Sequence, residues 1–187
     1  MINSGITNNL PGTVSGVFFT KKDADMAYHA LLKLGHTDDD ISVLMSDETL
    51  NKYERPHRDD AEEFVTSEEQ ILDNNAHKER PKGIIASALI SITSMISIPG
   101  LGIAISNTLL KKIYNLTSED TSEKTVGGIL GASVPEEHMD SYGDRMKEGG
   151  IIISVDPKNA QEKKAIVMNF RENNGKDILG DDGYTEI

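Results

Sequence analysis

Residues 83–110 carry no charged side chain, in a chain whose 31 Asp+Glu against 19 Lys+Arg leave a net charge of −12. At 28 residues (110 − 83 + 1) the stretch exceeds the roughly 20 that a helix needs to cross a bilayer. Lys82 precedes it, and Lys111 and Lys112 follow. Pro99-Gly100 divides it, and Pro-Gly is a strong turn signal. As helices, residues 83–98 would span about 24 Å and residues 101–114 about 21 Å, each short of a hydrocarbon core of roughly 30 Å. The pattern predicts a compact helical hairpin bent at Pro99-Gly100, packed on the rest of the chain or on another subunit. A kinked or re-entrant membrane anchor over 83–110 is the alternative.

The first half of the stretch carries one stripe of Ser87, Ser91 and Ser94 and another of Ile85, Leu89, Ile92 and Ile96. Farther on, Gly127 and Gly131 share a helix face, a spacing that permits close approach of two backbones. As a phosphate loop, Gly127-Gly128-Ile129-Leu130-Gly131 lacks a following Lys-Ser or Lys-Thr and a preceding buried strand. The candidate interaction residues are Ile85, Leu89, Ile92, Ile96, Pro99, Gly100, Leu101, Gly102, Ile105, Leu109, Gly127 and Gly131.

At 187 residues the chain suits one domain. Its acidity argues against a nucleic-acid binder, which needs a basic face for phosphates. The absence of Cys removes disulfides, thiol catalysis and thiolate metal sites. The first residues lack the basic and long apolar regions of a signal peptide, which points to the cytoplasm. No cofactor and no metal are expected.

Residues 14–19 are a nearly continuous apolar run, suited to a strand buried on both faces. Thr20 to Asp23 resembles a capping box, and Ala24, Ala27, Tyr28, Leu31 and Leu34 recur at helical spacing before Gly35. Asp38-Asp39-Asp40 then leads into a second strand at 41–45, completing a βαβ unit. Consecutive carboxylates on an extended backbone point to opposite faces, so the triplet reads as a solvated turn and not as a metal site. His29 and His36 read as surface residues. Residues 36–80 hold fourteen acidic and five basic side chains, or 5 − 14 = −9, and residues 46–80 read as an acidic linker with some helix. His57 and His77 fall there without companions.

Ser133-Val134-Pro135-Glu136 has capping-box spacing ahead of a helix in which Met139, Tyr142 and Met146 share a core face. His138 beside Glu137 diverges by about 100° on a helix, too far for an acid–base pair. Gly149-Gly150 ends that helix, a strand follows at 151–155, and Asp156-Pro157 opens another helix with Ala160, Val167 and Phe170 inward. Residues 1–13 and 176–187 read as tails, the second acidic. Its Asp177, Asp181, Asp182 and Glu186 fail the spacing of a calcium loop.

Several of these segments taken in order form a pattern. Gly16-Val17-Phe18, Leu34-Gly35 and Asp39-Asp40-Ile41-Ser42-Val43 are followed by Ile98-Pro99-Gly100-Leu101-Gly102. Residues 131–137 and Glu148-Gly149-Gly150-Ile151 complete it. From Val14 to Asn174 this resembles the bacterial heat-induced, or general stress, protein family. The chain departs from the family's Gly/Ala-rich apolar region by carrying more Ile, Leu and Ser. The resemblance implies a bacterial stress-associated protein and supplies no catalytic residues.

The fold expected is α+β: a small ferredoxin-like, split βαβ sheet over residues 14–175, with an apolar helical insertion at 81–133. The function expected is non-enzymatic, by self-association or partner binding through that insertion, in the stress response. An enzyme with an active site assembled from distant Asp, Glu and Tyr side chains is the remaining alternative.

Overall fold

A computed structural model describes residues 12–54, 95–116 and 125–181. The chain is α+β, with six strands in one sheet and helices on both of its faces. The strands are β1 (Val14–Phe18), β2 (Ile41–Ser46), β3 (Met95–Ile98), β4 (Ile103–Ser106), β5 (Ile151–Val155) and β6 (Lys176–Leu179). The helices are α1 (Lys21–Lys33), α2 (Asp47–Glu54), α3 (Asn107–Leu116), α4 (Val126–Gly131), α5 (Met139–Lys147) and α6 (Ala160–Glu172). The sheet order is β3-β4-β2-β5-β1-β6, and every neighbouring pair is antiparallel.

The strand sequences explain why the sheet is covered twice. β1, β4 and β5 are buried at every residue, and β2 at all but its last. Successive side chains of a strand face opposite ways, so a continuously apolar strand needs a layer on each side. On one face Val14, Phe18, Ile41, Val43, Met45, Ile151 and Ile153 pack against Ala24, Ala27 and Leu31 of α1 and Ile166, Val167 and Phe170 of α6. On the other, Val17, Leu44, Ile103, Ile105 and Ile152 pack against Leu109 of α3, Ile129 and Leu130 of α4, and Tyr142 and Met146 of α5.

Local signals set the first layer. Thr20 caps α1 by accepting a 3.1 Å hydrogen bond from the Asp23 N–H, and Gly35 ends the turn behind it at φ +96°. Asn159 caps α6 through the Glu162 N–H at 2.8 Å. The Asn169 amide donates to the Ala27 carbonyl at 2.9 Å and joins the two helices. Gly16 in β1 leaves the room that Phe170 fills, since a Cβ there would lie 2.8 Å from its ring. That ring meets Phe18 edge-on at 5.3 Å and 89°.

The described half of the apolar stretch corrects the helical hairpin. Residues 101–114 do not form a helix from Leu101. Met95–Ile98 and Ile103–Ser106 are strands joined by a turn at Pro99-Gly100, and the helix begins at Asn107. The turn is where the Pro-Gly pair put it, but it joins strands. Gly100 at φ +83° and Gly102 at φ +68° supply the left-handed residues such a turn needs. Branched Ile96, Ile98, Ile103 and Ile105 alternate on one face, which favours strand over helix. Residues 83–94 lie outside the described residues, as do the parts of the acidic linker beyond Glu54 and the N-terminal tail before Gly12.

Three further corrections follow. Lys176–Leu179, read as the start of an acidic tail, is a strand paired with β1. His36, read as a surface residue, is 4% exposed, with Nε2 3.4 Å from the Glu162 carboxylate. The capping box at Ser133 does not form: Glu136–His138 is a single 3₁₀ turn without a side-chain cap, and the Ser133 hydroxyl is buried without a hydrogen-bond partner among the described residues. Tyr142 and Met146 do face the core.

Candidate functional site

The predicted interaction residues fall into three groups. Ile85, Leu89 and Ile92 lie outside the described residues. Ile105 and Leu109 are fully buried within the chain's own core and are not available as surface. Ile96, Pro99, Gly100, Leu101 and Gly102 belong to the β3–β4 hairpin. Pro99, Gly100 and Gly102 are exposed there, and Ile96 and Leu101 half-buried. The Gly100 and Gly102 α-carbons have open space around them, so these residues serve the turn and not a close helix contact. Gly127 is exposed next to its own cap Thr125, and Gly131 faces the Met139 sulfur, where a Cβ would lie 3.3 Å away. Neither brings two backbones together.

The hairpin ends one side of the sheet. Among the described residues β3 pairs only with β4, in the register Met95–Ser106, Ile96–Ile105, Ser97–Ala104 and Ile98–Ile103. One face of β3 is held by Met95, which is buried in the first core with Leu50 and Ala104, and the other by Ile98, which packs on the second core. Its outer edge leaves backbone N–H and C=O groups without a strand partner among the described residues, and no charged side chain of β3 guards them. Ile96 is half-buried beside that edge and belongs to neither core. The nearest ionised group bonded to β3 is Asp47, in the first turn of α2, whose carboxylate accepts a 2.8 Å hydrogen bond from the Ser97 hydroxyl. The Asp47 N–H donates to the Gly102 carbonyl at 2.9 Å, so α2 buttresses the turn. Ser97, Ile98 and Asp47 were not singled out from sequence. The alternation of Ile96, Ile98, Ile103 and Ile105 about a Pro-Gly turn is the signal that finds them.

Behind the hairpin, Ser106 ends β4 and starts α3. Its hydroxyl accepts the Val43 N–H at 3.0 Å and lies 3.4 Å from the Leu109 N–H. The α3 helix is pinned to the rest of the fold by Thr108, which donates to the Asp38 carbonyl at 2.6 Å. Lys111 and Lys112 pair with Asp39 and Asp156 at 2.7 and 2.8 Å. Burial opposes ionisation of Asp156, but the hydrogen bonds from Lys112 and Thr13 and the Lys112 charge outweigh it and hold the carboxyl below its ordinary value. The acidic triplet thus disperses to separate partners: Asp38 to the Tyr28 hydroxyl, Asp39 to Lys111, and Asp40 to Thr37. Among the described residues no three His, Cys, Asp or Glu converge to hold a metal ion.

A second feature lies at the opposite side of the sheet. An open cleft of about 350 Å³ is bounded by Thr13, the 131–135 connection, His138, Lys163 and Gly180. From Ser15, next to its wall, three buried hydroxyls stand in a row across the sheet, in the register Ser15–Ser154–Ser42. Ser15 donates to the Ser133 carbonyl at 2.9 Å, and its hydroxyl lies 2.9 Å from that of Ser154. His138 and Lys163 flank the cleft without a carboxylate among its lining residues, but the Ser133 hydroxyl is sealed from it.

No protein-family model, curated protein or solved structure matches this chain. Among the described residues no helix is long and apolar enough to cross a membrane. Met95 to Leu110, more than half of the uncharged stretch, is committed to strands, turn and core helix. The remainder, 83–94, is shorter than the roughly 20 residues of a spanning helix.

Proposed function

We propose that the protein works by association, through the uncharged β3–β4 hairpin at one edge of its sheet, and catalyses no reaction there. The observation that carries this reading is the pairing of β3 with β4 alone among the described residues, with no charge on its outer side. Natural sheets guard such edges with charge, proline or bulges, because a bare edge templates another strand. Support for a role in the bacterial stress response comes from the order of the motifs that resemble general stress proteins, and for a cytoplasmic setting from the composition. The acid balance of −12 favours a protein partner over nucleic acid.

We also read the four strands β2-β5-β1-β6 with α1 and α6 as a split βαβ sheet, extended by the hairpin. Their order and their antiparallel neighbours support this, since β1-α1-β2 and β5-α6-β6 each skip one strand. In that reading the remaining helices cover the face that a minimal four-stranded version would leave open.

A photo-crosslinking residue placed at position 97 of the full chain, in the cell that makes it, tests the association. Adducts are expected at 97 and not at position 176 on the opposite edge. The same background at both positions overturns the reading.

A further inference from the structure

The carboxyl end of α6 sets two residues side by side for separate reasons. Asn174 is left-handed at φ +59°, a conformation asparagine tolerates better than most residues. It closes the helix there, and the Gly175 N–H bonds the Phe170 carbonyl at 2.7 Å. Position 175 is closed to a side chain, since a Cβ would lie 2.7 Å from that carbonyl and 3.2 Å from the Phe18 ring. Together they make the one Asn-Gly pair in the chain. In such a pair the backbone nitrogen is poorly shielded from the neighbouring side-chain amide, because glycine carries no Cβ. We infer that Asn174-Gly175 is a site of spontaneous deamidation, built as a one-way latch on β6: the hydrogen bonds that fasten the turn hold the reaction back, and its product keeps the strand loose. The site lies at the far edge from β3 and does not rest on the association reading.

The reaction needs only base and water. The Gly175 nitrogen loses its proton and attacks the Asn174 Cγ. A C–N bond forms, the side-chain nitrogen leaves as ammonia, and a cyclic succinimide closes. Water then opens the ring at either carbonyl and leaves aspartate or isoaspartate at 174. In the closed fold both reacting groups are engaged. The Gly175 N–H is held by Phe170, and the Asn174 Nδ2 donates to Asp23 Oδ1 at 3.0 Å. Ring closure therefore waits on local opening of this turn. Asn174 is exposed among the described residues, whereas its neighbour Asn173 is buried with its amide bonded to Asn169. The product changes the contact with α1. A donor to Asp23 becomes a second carboxylate against the Asp23 carboxylate, and like charges at that separation repel. Lys22 and Lys176, whose charges reach Asp23, offset part of this. What remains pushes the start of β6 away from α1, beside the Lys176–Val17 pair.

The full chain tests both halves of the latch. In mildly alkaline buffer, peptide mass mapping is expected to show conversion at Asn174 with Asn173 retained. Conversion is expected at least about tenfold faster when the same chain is held in denaturant. Asp23→Ala frees the Asn174 side chain but keeps the backbone N–H that Thr20 caps, and should convert faster than the unmodified fold. Asn174→Asp imitates the product without the reaction: amide exchange should quicken at Gly175 and in β6 and stay unchanged in β5. Adding Asp23→Asn reverses the pair, amide against carboxylate, and should restore slow exchange. Equal conversion in folded and denatured chains, or in Asp23→Ala and the unmodified fold, overturns the guarding of the site. No conversion at 174 in the denatured chain overturns the site itself. Exchange in Asn174→Asp that matches the unmodified protein, or that Asp23→Asn fails to slow, overturns the effect on β6.

Discussion

β6 closes its edge of the sheet with charge and irregular backbone. Lys176 and Asp177 are exposed, and Asp177 sits at φ +48°, a left-handed conformation unusual for a residue with a side chain. Its carboxylate takes a 2.7 Å bond from the Arg145 Nε, and its carbonyl accepts from the buried Tyr142 hydroxyl. β3, at the other edge, has four uncharged residues and regular pairing, and its one bonded charge belongs to α2. The two edges hold comparable lengths of chain, yet one is tied down by side chains and the other by its place on the core. An edge fastened by polar side chains is finished within the chain. An edge held mainly by packing, with one side-chain bond to Asp47, leaves its outer backbone without a strand partner among the described residues.

Substitutions can separate these two modes of attachment. The largest effect is expected at the core beneath β3. Ile105→Ala removes a fully buried side chain opposite Ile96 and should lower unfolding free energy by about 2–5 kcal/mol in chemical denaturation. Ile96→Ala, half-buried at the edge, should cost far less. Equal losses at both positions would break the distinction between core and edge.

An intermediate effect is expected at the other edge. Tyr142→Phe leaves the Asp177 carbonyl without its donor and should cost about 1 kcal/mol. Amide exchange should quicken in β6 and stay unchanged in β3. Acceleration in both strands would show that the edges are not independently held.

The smallest effect should come from acid. The Thr20 hydroxyl and the Asn174 amide, with help from Lys22 and Lys176, hold the Asp23 carboxyl below its ordinary value. Its contribution is therefore present above the unfolded value near 3.8 and lost as pH falls through the lower folded value. Because Asn174 leads into β6, exchange of β6 amides should quicken below about pH 4.

Much of this arrangement was legible before any coordinates. The β1–α1–β2 opening falls within a few residues of its predicted bounds, because an unbroken apolar run, a Thr-x-x-Asp cap and a Gly stop all agree there. β5 falls on its expected bounds, whereas α6 begins later than Asp156-Pro157 suggested, capped by Asn159 and with Ala160 exposed. β6 escaped notice because an edge strand needs few apolar residues, and Ile178 and Leu179 are its only two. The hairpin was misread because Pro99-Gly100 turns either kind of element. With strands of four residues, the alternation of Ile96 and Ile98 is too brief to outweigh the apolar length of the whole stretch. The burial of His36 left no local signal, since it depends on Glu162, far along the chain. Of the candidate contact residues, the sequence pattern could not divide those buried in the core from those at the sheet's rim. Ile105 and Ile96 differ only in which neighbour a later element supplies.

The double covering of the central strands has a consequence for recognition. Among the described residues, helices cover both broad sides of the sheet and leave unpaired strand backbone along its narrow margins. On the association proposed above, a partner strand there would read a line of peptide amides, and so would sense direction and length more than side-chain identity. A single ionic group set on that line would be enough to silence it.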